Sequence, residues 1–286
     1  MSSISPAAVK ALRDKTNAPM MECKAALVAA GGDMEKAIDH IRSKFAAIMT
    51  KKGEREAAEG RVAVVIDPAA KAGAILEMRC ESAPVAKNDL FVNLANDIVK
   101  HIVAKNPATI EEMLAQPFVG DPKKTVNDRI LEVGGLIREN MKPARFKRLT
   151  GVLGSYVHHD GTNGVLLQVT GKDSADETLL KDLCMHIVAT NPVAARQEDV
   201  APAVLEKERA FAKQQAEEQG KGKPPDIVAK IAEGKLKTWL KENVLLDQAF
   251  VKDTSKNPKT VGELLKGAGL QLGTFVRYKV GEVVSQ

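Results

Sequence analysis

His101-Ile102-Val103-Ala104-Lys105-Asn106-Pro107 returns as His186-Ile187-Val188-Ala189-Thr190-Asn191-Pro192, 85 residues further along (from position 101 to 186). Before the first copy, residues 61–67 and 74–80 are β-rich runs around a Pro/Gly-containing turn. Before the second, residues 151–158 and 164–170 flank His159-Asp160-Gly161-Thr162-Asn163. Each copy closes a helix that follows such a hairpin, so the chain predicts two similar α+β subdomains with antiparallel sheets. Each hairpin leaves an apolar face for its helix to cover. In the first helix Phe91, Leu94, Ala95, Ile98 and Ile102 supply the matching stripe. His101 and His186 fall near helix C-termini, where an imidazole favours the negative end of the dipole, a structural role rather than a catalytic one.

Outward from the repeat, residues 123–140 read as a helix and residues 145–149 as a further strand of the first sheet. Gly134-Gly135 inside that helix costs about 1 kcal/mol each relative to Ala, a cost that close packing against a neighbour offsets. Residues 200–219 and 226–242, joined by Gly220-Lys221-Gly222-Lys223-Pro224-Pro225, predict an antiparallel helical hairpin. Its apolar positions (Ile227, Val228, Ile231, Trp239 and Leu240 in the second helix) are too thin for a full core, so it projects. Residues 260–267 predict a short helix and residues 271–280 a closing strand.

At the N-terminal end, Ser5-Pro6 opens a first helix to about Lys15, Pro19 a second to about Ala30, and Asp33 a third, with Met34, Ala37, Ile38, Ile41, Phe45 and Ile48 as its stripe. These form a small three-helix bundle similar to ubiquitin-associated (UBA-like) domains. In the second helix Met20, Cys23 and Leu27 share one face and Met21, Ala25 and Val28 the adjoining one. A Met pair there is core packing or a soft docking surface, and packing is the commoner use. The helix needs one of the two for its own core, so only one is expected fully exposed. Lys51-Lys52-Gly53-Glu54-Arg55-Glu56 reads as a charged linker. The domains are therefore 1–52, the bundle; 53–150, the first core subdomain; and 151–286, the second, with the hairpin 200–242 inserted.

Composition narrows function. Aromatic residues make up 3% of the chain, so its core is aliphatic and Ala-rich. The balance of 42 basic to 37 acidic residues, net +5, is too mixed in sign for a dedicated nucleic-acid binder. Cys23, Cys80 and Cys184 are odd in number and without CxxC spacing, so neither a disulfide framework nor a zinc site is expected. Met1-Ser2-Ser3-Ile4-Ser5 has no export-signal run and no apolar span of membrane length occurs, so a cytoplasmic protein with no membrane partner is expected. There is no GxxxxGK[ST] loop, so direct nucleotide binding is not expected. His158-His159 lack further ligands at metal spacing. No nucleophile motif is present. No catalytic residue, cofactor or metal follows from the residues. What they specify alone is a multi-domain α+β interaction protein.

Several stretches resemble one family. Leu12-Arg13, then Thr16, then Met20-Met21-Glu22-Cys23-Lys24-Ala25-Ala26-Leu27 is similar to the N-terminal motif of the elongation factor Ts family, with Pro19 where the family usually has Gly or Ser. Leu153-Gly154-Ser155-Tyr156-Val157-His158, Pro258-Lys259-Thr260-Val261-Gly262-Glu263-Leu264-Leu265-Lys266 and Phe275-Val276-Arg277-Tyr278 extend the likeness along the chain. The resemblance implies a guanine-nucleotide exchange factor for the translational GTPase elongation factor Tu. It implies that Arg13, Met20, Met21 and Lys24 touch the GTPase domain, as does the exit of the first hairpin, and that His158 touches the partner's third domain.

One departure falls on the family's second motif. Relatives usually read Thr-Asp-Phe-Val-Ala-Lys there, with the Phe wedged near the GTPase's Mg²⁺ site. This chain reads Ser82-Ala83-Pro84-Val85-Ala86-Lys87. Ala83, Pro84 and Val85 then take the partner-binding positions, and Pro84, which disfavours a helical Ala83, predicts a rigid loop. The rival reading is an RNA- or ribosome-binding protein using the Lys-rich linker and the hairpin tip, marked by steep salt dependence.

Overall fold

The computed structural model describes residues 4–282. Met1-Ser2-Ser3, where an export signal was sought, and the side chain of Lys51 in the charged stretch lie outside the described residues. The chain is mixed α+β with small antiparallel sheets. It runs α1 (Pro6–Thr16), α2 (Met20–Ala29), α3 (Met34–Lys52), β1 (Glu59–Asp67), β2 (Ala72–Cys80), α4 (Ala83–Ala86), α5 (Asp89–Lys105), α6 (Ile110–Ala115), β3 (Pro117–Phe118), β4 (Asp121–Thr125), α7 (Val126–Ile137) and β5 (Lys142–Thr150). Then follow β6 (Val152–Val157), β7 (Asn163–Thr170), α8 (Glu177–Thr190), α9 (Pro202–Gln219), α10 (Pro225–Asn243), α11 (Val261–Gly267) and β8 (Gln271–Lys279).

The first three helices carry their own stop and start signals. Ser5 accepts the Ala8 N–H at 3.2 Å and Asp33 the Lys36 N–H at 3.0 Å, capping α1 and α3. Asn17 ends α1 in the left-handed region at φ 54°. Pro19 stands one residue before α2 rather than inside it, extended, with its carbonyl accepting the Cys23 N–H at 3.0 Å. Leu12, Cys23, Leu27, Ile41 and Phe45 fill the space between the three. α3 runs on through Lys52, into the stretch expected as a linker, because it has a neighbour to lie against. That neighbour is α7, shorter than expected from sequence. Thr125 and Asp128 form a capping box at its start, so Lys123-Lys124-Thr125 belong to β4, and Arg138 stops it at φ 66°. A Cβ on Gly135 would lie 2.4 Å from Phe45 Cβ, and one on Gly134 2.8 Å from Met49 Cε. The glycine pair lets the two helix backbones approach, which is the offset its cost required.

The two sheets, β1-β2-β5 and β6-β7-β8, are each covered by a helix, α5 and α8, and meet through their other faces. β2 shows why its sequence lacks a solvated face. Ala72, Ala74, Leu76 and Met78 point to α5, while Ile75 meets Val62, Leu166 and Tyr278 between the sheets. Glu77 shares that inner side and is 1% exposed. Its carboxylate lies 2.6 Å from the guanidinium nitrogens of Arg79 and of Arg145, and accepts the Gly281 N–H at 3.2 Å. Arg145 also covers the Tyr278 ring at 4.3 Å. Burial pushes the Tyr278 hydroxyl up to about 12, with Arg145 opposing and Glu77 reinforcing.

The repeat extends further than its sequence signal. His101 Nε2 lies 2.9 Å from Gln116 Oε1, and its Nδ1 accepts the Val119 N–H at 3.3 Å. His186 makes the same pair of contacts, with Gln248 at 3.0 Å and the Val251 N–H at 3.2 Å. Phe118 and Phe250 lie against the respective rings. Burial lowers both imidazole pKa values, against the opposing pull of the Gln contacts. These are neutral pegs that fasten a returning loop, not cations answering a helix dipole. After each loop comes a Thr-capped helix with Val at its first position, α7 after Thr125 and α11 after Thr260. Between peg and loop the first half carries the six residues of α6 and the second carries α9 and α10.

α9 and α10 pack mainly on each other, through Ala212 and Ala216 of α9, and α10 meets the body at Leu245–Asp247. Ile227, expected among the packed positions, is exposed at 42%. Val200, Ala194 and Val244 form the base cluster, with Leu205, Trp239 and Leu240 laid over it.

Candidate functional site

α2 buries Cys23, Ala26 and Leu27 and turns its other side outward. Met20 is 43% exposed, Met21 74% and Val28 61%, and Lys24 is exposed as well. Neither methionine therefore completes the bundle core, contrary to the expectation that one must. Ala26 beside Leu27 is enough, because the helices approach closely over small residues. Cys23 is packed, donating to the Ala18 carbonyl at 3.4 Å, and burial raises its thiol pKa. Arg13 lies exposed on α1, one turn before the corner that leads to α2.

Residues 83–86 are a turn of helix, α4, not the extended loop expected from Pro84. Ser82 takes the extended conformation instead, at φ −129° and ψ 148°, and Ala83 is the first helical residue. Pro84 is tolerated at the second position because a first-turn N–H has no intrahelical partner. Ser82 is held there from outside: Glu139 accepts its hydroxyl at 2.6 Å and its N–H at 3.1 Å. Ala83 and Pro84 are exposed, Val85 is half-buried and Ala86 is buried.

The two exposed surfaces are joined. Arg138 donates to Glu22 of α2 at 3.1 Å, and the next residue is the Glu139 that holds Ser82. Lys44 of α3 lies 3.5 Å from the same Glu22 oxygen. The structure thus ties Met20, Met21 and Lys24 to Ala83 and Pro84 through one short segment, and places His158 elsewhere. His158 sits at the end of β6, its Nδ1 3.1 Å from the Tyr156 hydroxyl and its ring 4.3 Å from that of His159. Among the described residues no group of three or more side chains is arranged to hold a metal ion, and no helix is long and apolar enough to cross a membrane. Cys23, Cys80 and Cys184 are free and buried, with burial pushing the Cys80 thiol up to about 12.

A sequence profile described as Elongation factor TS matches residues 81–282. The chain belongs to the elongation factor Ts family. "Elongation factor Ts" of Polynucleobacter asymbioticus is 43% identical to it over 289 residues, covering 100% of this chain and 93% of that protein. The protein of the same name from Thiobacillus denitrificans is 41% identical, covering 100% and 95%, and that from Trichlorobacter lovleyi 39%, covering 97% and 90%. Similarity to these family members therefore includes the first three helices, which the profile leaves out. For a member of the elongation factor Ts family, the residues to which sequence reasoning gave no role are Glu81, Arg138, Glu139 and Asn140, while Glu22 stands within the N-terminal motif without its partner. They belong to no periodic stripe, and the Arg138–Glu22 contact spans 116 positions.

Proposed function

We propose that this chain is a guanine-nucleotide exchange factor that binds GDP-bound elongation factor Tu and promotes GDP release during translation elongation. The observation that carries the reading is the apolar, exposed α2 face fastened to the exposed Ala83-Pro84 turn, at the two places where the family likeness puts GTPase contacts. The first three helices act as a UBA-like unit (1–52) that presents Arg13, Met20, Met21 and Lys24. Subdomain 53–150 presents Ala83, Pro84 and Val85, and subdomain 151–286, carrying the hairpin, presents His158. The factor works in the cytoplasm, catalyses no bond chemistry, and needs no nucleotide, cofactor or metal of its own.

The mechanism is linkage. A factor that binds the nucleotide-free GTPase more tightly than the GDP form weakens GDP binding by the same ratio. That ratio comes from contacts made in one state and not the other, and a rigid two-part surface supplies them. Pro84 cannot fill a pocket shaped for Phe, which leaves two outcomes: a cognate GTPase co-adapted to it, the reading favoured here, or exchange that depends mainly on the N-terminal bundle. The test is release of a fluorescent GDP analogue, from the cognate GTPase and from one whose own factor carries the usual Asp-Phe. Installing Asp-Phe at 83–84 is expected to speed release from the second GTPase and not from the first. An equal, large gain on both would refute co-adaptation, and no acceleration by the unaltered chain would refute exchange.

A further inference from the structure

Arg138-Glu139-Asn140 serves three separate segments with three successive side chains. Arg138 reaches α2 through Glu22, and its own carbonyl accepts from Lys52 at the end of α3. Glu139 grips both the N–H and the hydroxyl of Ser82. Asn140 is buried, and its N–H donates to Glu81 at 2.6 Å. Its side-chain amide donates to the carbonyls of Gly53 at 3.1 Å and Arg55 at 2.8 Å. Glu81 closes the ring with an ion pair to Arg55 at 3.4 Å. The backbone at Arg138 is left-handed, at φ 66°, where an L residue is strained and a glycine is not. A glycine would end α7 with less strain; an arginine gains the contact to Glu22.

We infer that Arg138-Glu139-Asn140 is the positioning device of this factor, fixing the exposed α2 face and the Ala83-Pro84 turn at one spacing so that both engage the GTPase as a single surface. The inference rests on the exchange reading above. Two weak contacts on one rigid body reinforce each other through effective concentration, and the reinforcement falls as the link between them loosens. None of the three residues need touch the partner for this to hold. They act through Glu22, Ser82 and Glu81.

The test is a double-mutant cycle on the full-length chain, reading the factor concentration that gives half-maximal GDP release from elongation factor Tu. Met21→Asp removes one contact. On the native background it is expected to raise that concentration about a hundredfold, and on Glu139→Ala or Arg138→Ala by roughly tenfold or less, since the contact then contributes at reduced effective concentration. Glu139→Gln is the rescue. Its amide oxygen accepts the Ser82 N–H while its NH₂ donates to the Ser82 hydroxyl, so the Met21→Asp factor returns to near the native one. A merely structural role would lower the active fraction and leave the Met21→Asp factor unchanged in every background, and that result overturns the inference. So does a Glu139→Gln protein that behaves as Glu139→Ala while melting as the native chain does. If the native chain releases no GDP, the exchange reading fails and this inference with it. If it releases GDP and the factors are equal, only the positioning role fails.

Discussion

Replacing Gly135 by Ala sets two magnitudes against each other. In a helix interior the change gains about 1 kcal/mol of propensity. Against this, the new Cβ would stand 2.4 Å from Phe45 Cβ and Cγ, where carbon atoms at optimal separation stand about 3.5–4.0 Å apart. Phe45 is 2% exposed, and its Cβ is fixed to the backbone of α3, so it cannot swing aside. The helix itself must yield by about 1 Å or more. Overpacking of this kind costs about 1–3 kcal/mol, and a clash with a Cβ belongs at the upper end. The expected net loss is about 2 kcal/mol. Gly134→Ala is the milder comparison, since its Cβ would meet the flexible end of Met49, at 2.8 Å from Cε and 2.9 Å from Sδ, and the Glu139 carbonyl oxygen only at 3.2 Å. Met can turn away, so that variant is expected within about 1 kcal/mol of the native chain. Urea unfolding monitored by circular dichroism gives the two values, and amide exchange in α1, α2 and α3 shows where the loss falls. Because α7 ends at Arg138, displacing α3 also disturbs the Glu22 contact, so GDP release should slow more with Gly135→Ala than with Gly134→Ala, whose Cβ presses only lightly on the Glu139 carbonyl. A Gly135→Ala protein as stable as the native one, or a Gly134→Ala protein equally damaged, would refute the close-packing account.

His101 and His186 are held neutral with lowered pKa values, so the unfolded chain binds more protons below its ordinary histidine pKa of about 6.5. Their stabilisation is complete above that pH and is lost as pH falls towards the folded values, by up to about 1.4 kcal/mol per pH unit for each imidazole. Melting temperatures from pH 7 to pH 5 should fall accordingly, and a flat profile would show that the pegs accept protons without loosening. Residues 207–237 should be removable behind a short Gly/Ser linker with both sheets still folding cooperatively. A wider cut from Val200 to Glu242 should cost more, because it strips Leu205, Trp239 and Leu240 from the base cluster.

The mixed fold was legible because hairpins and covering helices are local patterns. Arg61 to Asp67 and Phe91 to Ile102 announce themselves through spacing alone. The second half of each repeat was not, although Gln116-Pro117-Phe118-Val119 and Gln248-Ala249-Phe250-Val251 share three of four residues. From His101 to Gln116 is 15 positions and from His186 to Gln248 is 62, because α9 and α10 intervene. A fixed-period search loses the pair at that insertion. Met20 and Met21 fail differently. Periodicity counts apolar positions around a helix but does not say how much width its neighbours use, and small residues at Ala26 and Ala37 let this bundle close without them. The clasp at residues 138–140 leaves no sequence trace of either kind, since polar contacts between distant segments have no period.

The α4 turn shows what that clasp contributes. Four residues cannot hold a helix by themselves, since one turn fixes several dihedral angles for one hydrogen bond. Here Ser82 is held by Glu139 and Ala86 is buried, so the turn is formed in the chain without a partner. A flexible loop would lose conformational entropy on docking, at about 1–2 kcal/mol for each residue fixed. A preformed turn spends little of its contact energy that way, and about 1.4 kcal/mol retained corresponds to tenfold in affinity. That saving applies equally to the GDP-bound and nucleotide-free partner, so by itself it raises affinity without accelerating release. On the exchange reading proposed above, acceleration requires a partner whose two contact points sit at the spacing of α2 and α4 only once its nucleotide site has opened. A rigid spacing on the factor would then convert that rearrangement into a difference in affinity, whereas a loose one would fit both states alike.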